Sequence, residues 1–345
     1  MSNYDILNKK LIFNKEGYTD IDNRFIINGN TTNIIELNNI KYNWAYDLYK
    51  TMSIRNFWIP DEISMIDDKK QYESVLTDFE RRAYELTLSF LIALDSYQVN
   101  ILKELASVIT APELVMAITA QEFQESLHSF SYQHILESVV TPYIADRVYN
   151  LWREDEKLLE RYELVAQIYN EFVQKPTIEN FIKAIVADYI LESLYFYSGF
   201  AFFYVLGRQG KMRNTVQQIK YINRDELTHV TLFRNIIITL KQERPDIFTP
   251  EINNWIYEAF KFATDREIQW GKYITNNQIL GLNDEVIDKY IKYLANLRLQ
   301  QINYEPIFDQ AENPLAWIDT YRSINDTKTD FFQAKPQTYT KGLKW

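Results

Sequence analysis

The sequence predicts an all-α protein whose core is a four-helix bundle. Hydrophobic residues make up 46% of the 345-residue chain and aromatic residues 15%, which is enough apolar material for a large core. Only eight glycines occur, and none lies between Gly29 and Gly199, whereas sheets joined by tight turns usually need more. Long apolar segments also begin with residues typical of helix starts and end near glycine or proline.

The first third of the chain contains an irregular arm and three predicted helices. Residues 1–35 are rich in Asn and lack sustained periodicity, so we expect an irregular N-terminal arm. A first helix is predicted over residues 39–52, before Pro60 ends regular structure. Two capping boxes, Thr77–Glu80 and Thr110–Glu113, are predicted to open long helices that reach residues 105 and 139.

The rest of the body is predicted to be helical, and the end of the chain is not. A more polar pair of helices is expected within residues 143–173, and Thr177 follows a break and starts the next helix. Residues 36–304 would form one helical domain, and residues 305–345, rich in Pro, Asn, Thr and Lys, would form a mobile tail. The remaining predicted helices span residues 177–207, 214–242, 250–276 and 284–303.

One apolar segment, residues 189–206, is nearly long enough to cross a membrane. It contains Glu192, and a lone carboxylate at bilayer depth is costly. A helix that is apolar on every side also occurs at the centre of a large helical protein. We therefore expect a buried helix and no membrane contact.

Composition excludes several classes of function. The formal net charge of −10 argues against a nucleic-acid-binding surface, which would need clustered Lys and Arg. The chain has no cysteine, so it has no disulfide, thiolate ligand or thiol nucleophile. Residues 1–13 lack a basic region followed by an apolar core, so we expect no secretion signal and a cytoplasmic location.

The most informative motif is Glu-x-x-His, which occurs twice. Two of the three histidines close it, in Glu125–His128 and Glu226–His229. Residues three apart lie on the same face of a helix, so each motif directs a carboxylate and an imidazole to one point. A two-metal site in a four-helix bundle needs such a motif from two helices and one carboxylate from each of two more.

Asp95 and Glu192 are the candidates for the two remaining carboxylates, because both lie in apolar helical segments. Asp95 precedes the first motif by 30 residues and Glu192 precedes the second by 34, which indicates two similar helical hairpins. Each residue alone could be a surface residue or a satisfied polar contact. Together, four carboxylates and two imidazoles on apolar helices predict a site for two metal ions, and this ligand set favours iron or manganese over structural zinc.

Tyr132 lies four residues after His128 and seven after Glu125, on the same helical face. A phenol at this position could lose an electron and a proton to an oxidised metal pair. The chain has 25 tyrosines, however, and tyrosine commonly fills protein cores. Spacing alone leaves both interpretations open.

Six segments of the sequence resemble class I ribonucleotide reductase small subunits, over residues 40–345. The segment that contains the first motif reads Phe-Gln-Glu-Ser-Leu-His-Ser-Phe-Ser-Tyr, and the segment that contains the second reads Arg-Asp-Glu-Leu-Thr-His. The others are residues 94–98, residues 191–200, the Phe-Trp-Ile-Pro-Asp-Glu segment at 57–62 and the Asn-Pro-Leu-Ala-Trp-Ile segment at 313–318. Gln121 departs from the pattern, because some members of the family carry Trp there.

The resemblance implies a ferritin-like fold, an enzyme function and a role for each site residue. One metal ion would be held by Asp95, Glu125 and His128, and the other by Glu192, Glu226 and His229. Two iron ions per subunit are expected, with manganese or a mixed pair as alternatives. Tyr132 would carry a stable radical, shielded by Phe196, Phe200 and Ile222.

The same resemblance implies how the radical leaves the subunit and which partners receive it. It would pass by way of His128, Asp225 and Trp58 to Tyr339 in the tail, and from there to a large subunit. That subunit would supply the cysteines that reduce ribonucleotides to deoxyribonucleotides, for DNA replication. A homodimer is expected, and a flavodoxin-like activator is a further expected partner.

Two other functions fit part of the pattern. A di-metal oxidase or desaturase acting on a lipid-like substrate would explain the ligands, but not the resemblance at Trp58, Asp225 and Tyr339. An iron-storage protein would share the scaffold, although such proteins are usually shorter and assemble into shells.

Overall fold

The structure is a computed structural model that describes residues 6–319, and helices account for most of them. The predicted all-α fold is confirmed, and the described residues form no strand beyond isolated bridges. The helices are α1 Asn43–Lys50, α2 Ile66–Ser74, α3 Asp78–Val108, α4 Pro112–Val139, α5 Pro142–Asn150, α6 Glu156–Gln174, α7 Ile178–Ile190, α8 Tyr197–Arg208, α9 Arg213–Glu243, α10 Pro250–Thr275 and α11 Asp284–Gln301.

Two helical hairpins form the bundle. Helix α3 packs against α4, and the α7–α8 segment packs against α9. Contacts of α4 with α9 and of α3 with α8 join the hairpins, while α10 and α11 cover α7 and α8. Gly199 permits the close approach of α8 to α3, because a Cβ atom there would lie 2.9 Å from the Thr87 side chain.

The start of α3 follows the prediction. The Thr77 hydroxyl accepts a hydrogen bond from the Glu80 backbone N–H at 3.2 Å, and the Glu80 carboxylate accepts one from the Thr77 N–H at 2.9 Å. This reciprocal pair satisfies two backbone donors that have no partner inside the helix.

The predicted capping box at Thr110–Glu113 is wrong. Helix α4 begins at Pro112, and its N-cap residue, Ala111, makes no side-chain hydrogen bond. Thr110 binds the N-terminal arm instead. The Thr110 hydroxyl accepts a hydrogen bond from the Gly29 N–H at 2.9 Å and donates one to the Phe25 carbonyl at 2.8 Å.

Glu113 is also bound to the N-terminal segment, and this shortens the first helix. Its buried carboxylate accepts the backbone N–H groups of Lys41 and Tyr42 at 3.0 and 3.1 Å and pairs with Arg24 at 3.3 Å. Residues 41 and 42 therefore do not join a helix, and α1 starts at Asn43 rather than at the predicted residue 39.

The segment predicted as one helix over residues 177–207 is interrupted in the middle. Thr177 caps α7 by accepting the Asn180 N–H at 3.1 Å. A π-helical turn, Leu191–Tyr195, then separates α7 from α8 and contains Glu192. Such turns insert an extra residue into a helix and are frequent at functional sites.

The same segment is the candidate membrane span. Residues Ile178–Arg208 are long and apolar enough to cross a bilayer, but 94% of the apolar window is buried inside the protein. This burial is typical of the central helix of a large helical domain, as the sequence predicts.

Candidate metal centre

Four helices bring the six predicted ligands to one place at the centre of the bundle. Asp95 lies on α3, and Glu192 lies on the π-helical turn. One Glu-x-x-His motif lies on α4 and the other on α9. The solvent exposure of all six side chains is 0%.

The six residues form two overlapping groups whose candidate ligand atoms lie within 4.8 Å of one another. The first group contains Asp95, Glu125, His128 and Glu226, and the second contains Glu125, Glu192, Glu226 and His229. Glu125 and Glu226 belong to both. Two ions side by side, with these two carboxylates between them, would use every member of the cluster.

The two shared carboxylates each direct one oxygen to each imidazole. Glu226 Oε1 lies 3.1 Å from His128 Nδ1, and Glu226 Oε2 lies 2.8 Å from His229 Nδ1. Glu125 Oε2 lies 3.5 Å from His128 Nδ1, and its Oε1 lies 3.0 Å from His229 Nδ1. This is the placement that a bridging carboxylate requires.

Asp95 and Glu192 occupy the two ends of the cluster. Asp95 Oδ2 lies 3.7 Å from His128 Nδ1, and Glu192 Oε2 lies 3.6 Å from His229 Nδ1. Each end of the site therefore has one terminal carboxylate and one imidazole.

Several buried polar atoms of this cluster have no hydrogen-bond partner. They include both oxygens of Asp95, Nδ1 of His128, and one oxygen each of Glu125, Glu192 and Glu226. Buried polar atoms are normally satisfied, and buried charges must be paired or bind a metal. An oxygen- and nitrogen-rich cavity of this kind fits two divalent cations.

A hydrogen-bond partner orients each imidazole through Nε2, the ring nitrogen that points away from the cluster. Asp225 Oδ2 lies 3.4 Å from His128 Nε2, and Gln124 Oε1 lies 2.9 Å from His229 Nε2. Nδ1 of each ring faces the cluster as a result. Outer partners of this kind fix the orientation of metal-binding histidines.

The charges of the cluster shift the pKa values of its members. Burial raises the pKa of Asp95 and of Glu192 well above the usual range, and neighbouring carboxylates add to the effect. Burial opposes the charge of both imidazoles, but the surrounding carboxylates outweigh it and raise the pKa of His128 and His229. Burial alone would raise the pKa of Glu226, yet the imidazoles hold it below its usual range.

Tyr132 lies on α4, fully buried, with its hydroxyl beside the carboxylate of Asp95. Burial, and then the charge of Asp95, raise its pKa well above the usual value, so the phenol stays protonated. Trp58 and Asp225, which the resemblance places on the radical-transfer route, are in contact. The Trp58 Nε1–H donates a hydrogen bond to Asp225 Oδ2 at 2.9 Å. Tyr339 lies outside the described residues.

Two polar residues near the cluster were not assigned a role from the sequence. Gln124, which binds His229, adjoins Glu125 in the first motif. Asp188 lies one helical turn before Glu192 and is fully buried. A polar residue within an apolar helix can be recognised from the sequence. The sequence does not show, however, which neighbouring side chain that residue contacts. The third histidine, His134, binds the Ile63 carbonyl at 3.0 Å, away from the cluster.

Comparison with known proteins identifies the family. A sequence model described as "Ribonucleotide reductase, small chain" matches residues 34–314. The ribonucleoside-diphosphate reductase subunit beta of Treponema pallidum is 40% identical over 99% of this chain and 97% of its own length. The corresponding subunit of Halalkalibacterium halodurans is 39% identical over 92% and 91%.

The chain belongs to the ribonucleotide reductase small-chain family. The predicted resemblance, enzyme class and general function are thereby confirmed, and the oxidase alternative is not favoured. A family member of this kind works together with a large subunit. The roles of the individual site residues stay predictions.

Solved structures of family members support the same assignment. The ribonucleotide reductase R2 subunit from Clostridium botulinum superimposes with a TM-score of 0.90 at 50% identity, covering 92% of this chain and 99% of that chain. A dimanganese(II) NrdF from Streptococcus sanguinis gives a TM-score of 0.74 at 21% identity, over 84% and 99%. The second likeness shows the shared fold only.

We expect metal binding to this small chain to release protons and to strengthen as pH rises. Because the pKa values of His128, His229, Asp95 and Glu192 are raised, the metal-free cluster holds protons more tightly than free side chains do, and cations must displace them. Calorimetric titration with Mn²⁺ in buffers of different ionisation enthalpy measures the protons released. Affinity that is constant between roughly pH 6 and 8, without proton release, would contradict this expectation.

Proposed function

We propose that this chain is the radical-generating subunit of a ribonucleoside-diphosphate reductase and that Tyr132 carries the radical. The observation that supports this most directly is the buried six-residue cluster with a phenol on the face of α4 that carries Glu125 and His128. Two bound metal ions, once oxidised by O₂ or another oxidant, would supply the oxidising equivalents that remove an electron and a proton from that phenol. The ligands would be Asp95, Glu125, His128, Glu192, Glu226 and His229.

The proposed cofactor is a pair of iron ions, with manganese or a mixed pair as the alternatives. Four carboxylates and two imidazoles without sulfur suit both metals. Metal content and electron paramagnetic resonance (EPR) spectra after loading with iron, and separately with manganese, distinguish these cases.

The environment of Tyr132 suits a long-lived radical. Its phenol is protonated, so oxidation removes a proton together with the electron. The residues proposed to shield it, Phe196, Phe200 and Ile222, are at most 1% exposed, and the two phenylalanine rings stack with centroids 5.6 Å apart. Apolar, dry surroundings keep external reductants away from the oxidised ring.

A chain of polar contacts offers a route from the cluster toward the surface. His128 Nε2 faces Asp225 Oδ2, and the same oxygen accepts the Trp58 indole N–H. The other oxygen of Asp225 accepts a hydrogen bond from Arg224 at 3.1 Å, which leaves Oδ2 for the two rings. We propose that the hole passes through these residues to Tyr339 in the tail.

The proposed partner is a cysteine-bearing large subunit that binds and reduces the nucleotide. This chain lacks cysteine, so it cannot supply a thiyl radical or a dithiol. Residues 305–345 are the proposed docking tail, residues 36–304 the metal-binding domain and residues 1–35 the N-terminal arm. A cytoplasmic location is part of the proposal, and the flavodoxin-like activator stays a prediction of the resemblance.

A homodimer is also proposed, with an exposed apolar surface on α4 as the contact. Phe123 and Phe130 are 51% and 40% exposed, and Ile54, Phe57 and Ile59 are exposed on segments around α4. Apolar patches of this kind commonly mark protein interfaces.

We expect light scattering to show a dimer and a Phe123→Glu, Phe130→Glu variant to be a monomer, whereas Phe262→Glu on α10 stays dimeric. A monomeric unmodified protein would refute the homodimer.

We expect Tyr132→Phe to abolish the organic radical and to retain both metal ions, because the substitution removes only the oxidisable hydroxyl. EPR spectroscopy after reconstitution detects the radical, and metal analysis counts the ions. Tyr84→Phe is the matched control, since Tyr84 is equally buried and bonds to Thr215. Full turnover by the Tyr132 variant would refute the assignment.

We expect Trp58→Phe, Asp225→Asn and Tyr339→Phe to lower turnover with the large subunit by at least about 100-fold, as loss of an essential group does. Tyr339→Phe should leave the metal content and the radical of Tyr132 unchanged, because the substitution lies in the tail. Radical content from EPR and deoxyribonucleotide formation are measured on the same samples. Unchanged turnover in the Tyr339 variant would remove that residue from the route.

A further inference from the structure

Glu192 differs from the other five predicted ligands because two side-chain amides bind one of its oxygens. Gln98 Nε2, from α3, donates a hydrogen bond to Oε1. Gln121 Nε2, from α4, donates to the same oxygen at 2.8 Å. The other oxygen, Oε2, has no hydrogen-bond partner and faces His229 Nδ1 at 3.6 Å.

We infer that Gln98 and Gln121 form an amide clamp that leaves Glu192 a single oxygen, Oε2, with which to bind a metal ion. This inference rests on the proposed metal centre. The two glutamines are positioning residues, because they act through Glu192 and are not ligands themselves.

The orientation of the Gln98 amide is set by a neighbour. The Tyr169 hydroxyl donates to Gln98 Oε1 at 3.2 Å, so the NH₂ group of Gln98 must point away from it, toward Glu192. An ionised carboxylate, the form that binds a metal ion, only accepts hydrogen bonds, which requires the NH₂ group of Gln121 to face Glu192 as well. The same group of Gln121 reaches Glu125 Oε1 at 3.4 Å.

Asp188 completes the surroundings of Gln98. Burial raises the pKa of Asp188, and the Gln98 amide opposes that effect, which places the two side chains next to each other. Tyr169, Asp188 and Glu192 thus surround one amide that is completely buried. An amide held on several sides cannot easily turn away from Glu192.

The clamp restricts how Glu192 can rearrange. Binding an ion through both oxygens would require Oε1 to give up two charge-assisted hydrogen bonds in a dry site. Glu125 and Glu226, by contrast, face both imidazoles and need both oxygens to bridge. Glu192 would therefore hold its ion through Oε2 alone.

The test compares Gln98→Met and Gln121→Met with the unmodified protein. Methionine keeps the length of the side chain but cannot donate a hydrogen bond. Metal-free protein is titrated with Mn²⁺ alone in a calorimeter, and the Mn²⁺-loaded forms are compared by EPR. Gln133→Met, on the exposed side of α4, is the matched control.

In each clamp variant we expect one of the two ions to bind about 10–100-fold more weakly, while the other binds normally. The EPR spectrum of the loaded variants should also differ from that of the unmodified protein and of the control. Tyr169→Phe, which removes only the hydroxyl that orients Gln98, should give the same change in smaller degree. Circular dichroism of the metal-free forms checks that each variant folds.

The outcomes separate this inference from the proposed metal centre. If the unmodified protein binds no Mn²⁺, the metal centre itself is refuted, and the clamp with it. If the unmodified protein binds two ions, and folded clamp variants and Tyr169→Phe match it in both affinities and in the spectrum, the clamp alone is refuted.

Discussion

The whole molecule depends on the burial of four carboxylates and two imidazoles in a dry helical core. Such groups cannot stay both ionised and uncompensated there, because desolvation costs far more than packing returns. Protons can neutralise the cluster in part, and two divalent cations can neutralise it fully. Every helix of the two hairpins supplies a residue of this cluster or lies against a helix that does.

Most of the fold and of the site could be predicted from the sequence, because both depend on helical periodicity. Glu-x-x-His fixes two side chains on one face within a single turn, and no tertiary information is needed to see it. Asp95 and Glu192 were recognisable because a charge within an apolar helix must have a partner. The capping box of α3 likewise involves only neighbouring residues.

The errors concern contacts between segments that are distant in sequence. Thr110 and Glu113 form a capping-box pattern, but Gly29 and Arg24 of the N-terminal arm bind these two side chains instead. The role of Gln124 depends on a histidine that lies 105 residues further along the chain. Leu191–Tyr195 carries no local sequence pattern that distinguishes a π-helical turn from an ordinary α-helical turn. Sequence patterns among neighbouring residues do not show whether a distant part of the chain forms a more favourable hydrogen bond with the same side chain.

The π-helical turn at Glu192 sets the direction of the side chains that follow it relative to the side chains that precede it. One inserted residue rotates everything that follows by about 100° around the helix axis. Glu192 and the stacked Phe196 and Phe200 rings therefore owe their relative directions to that insertion rather than to their own side chains. If the same five residues formed an ordinary α-helical turn, every functional group would remain in the sequence, but the aromatic rings would point in a different direction relative to Glu192.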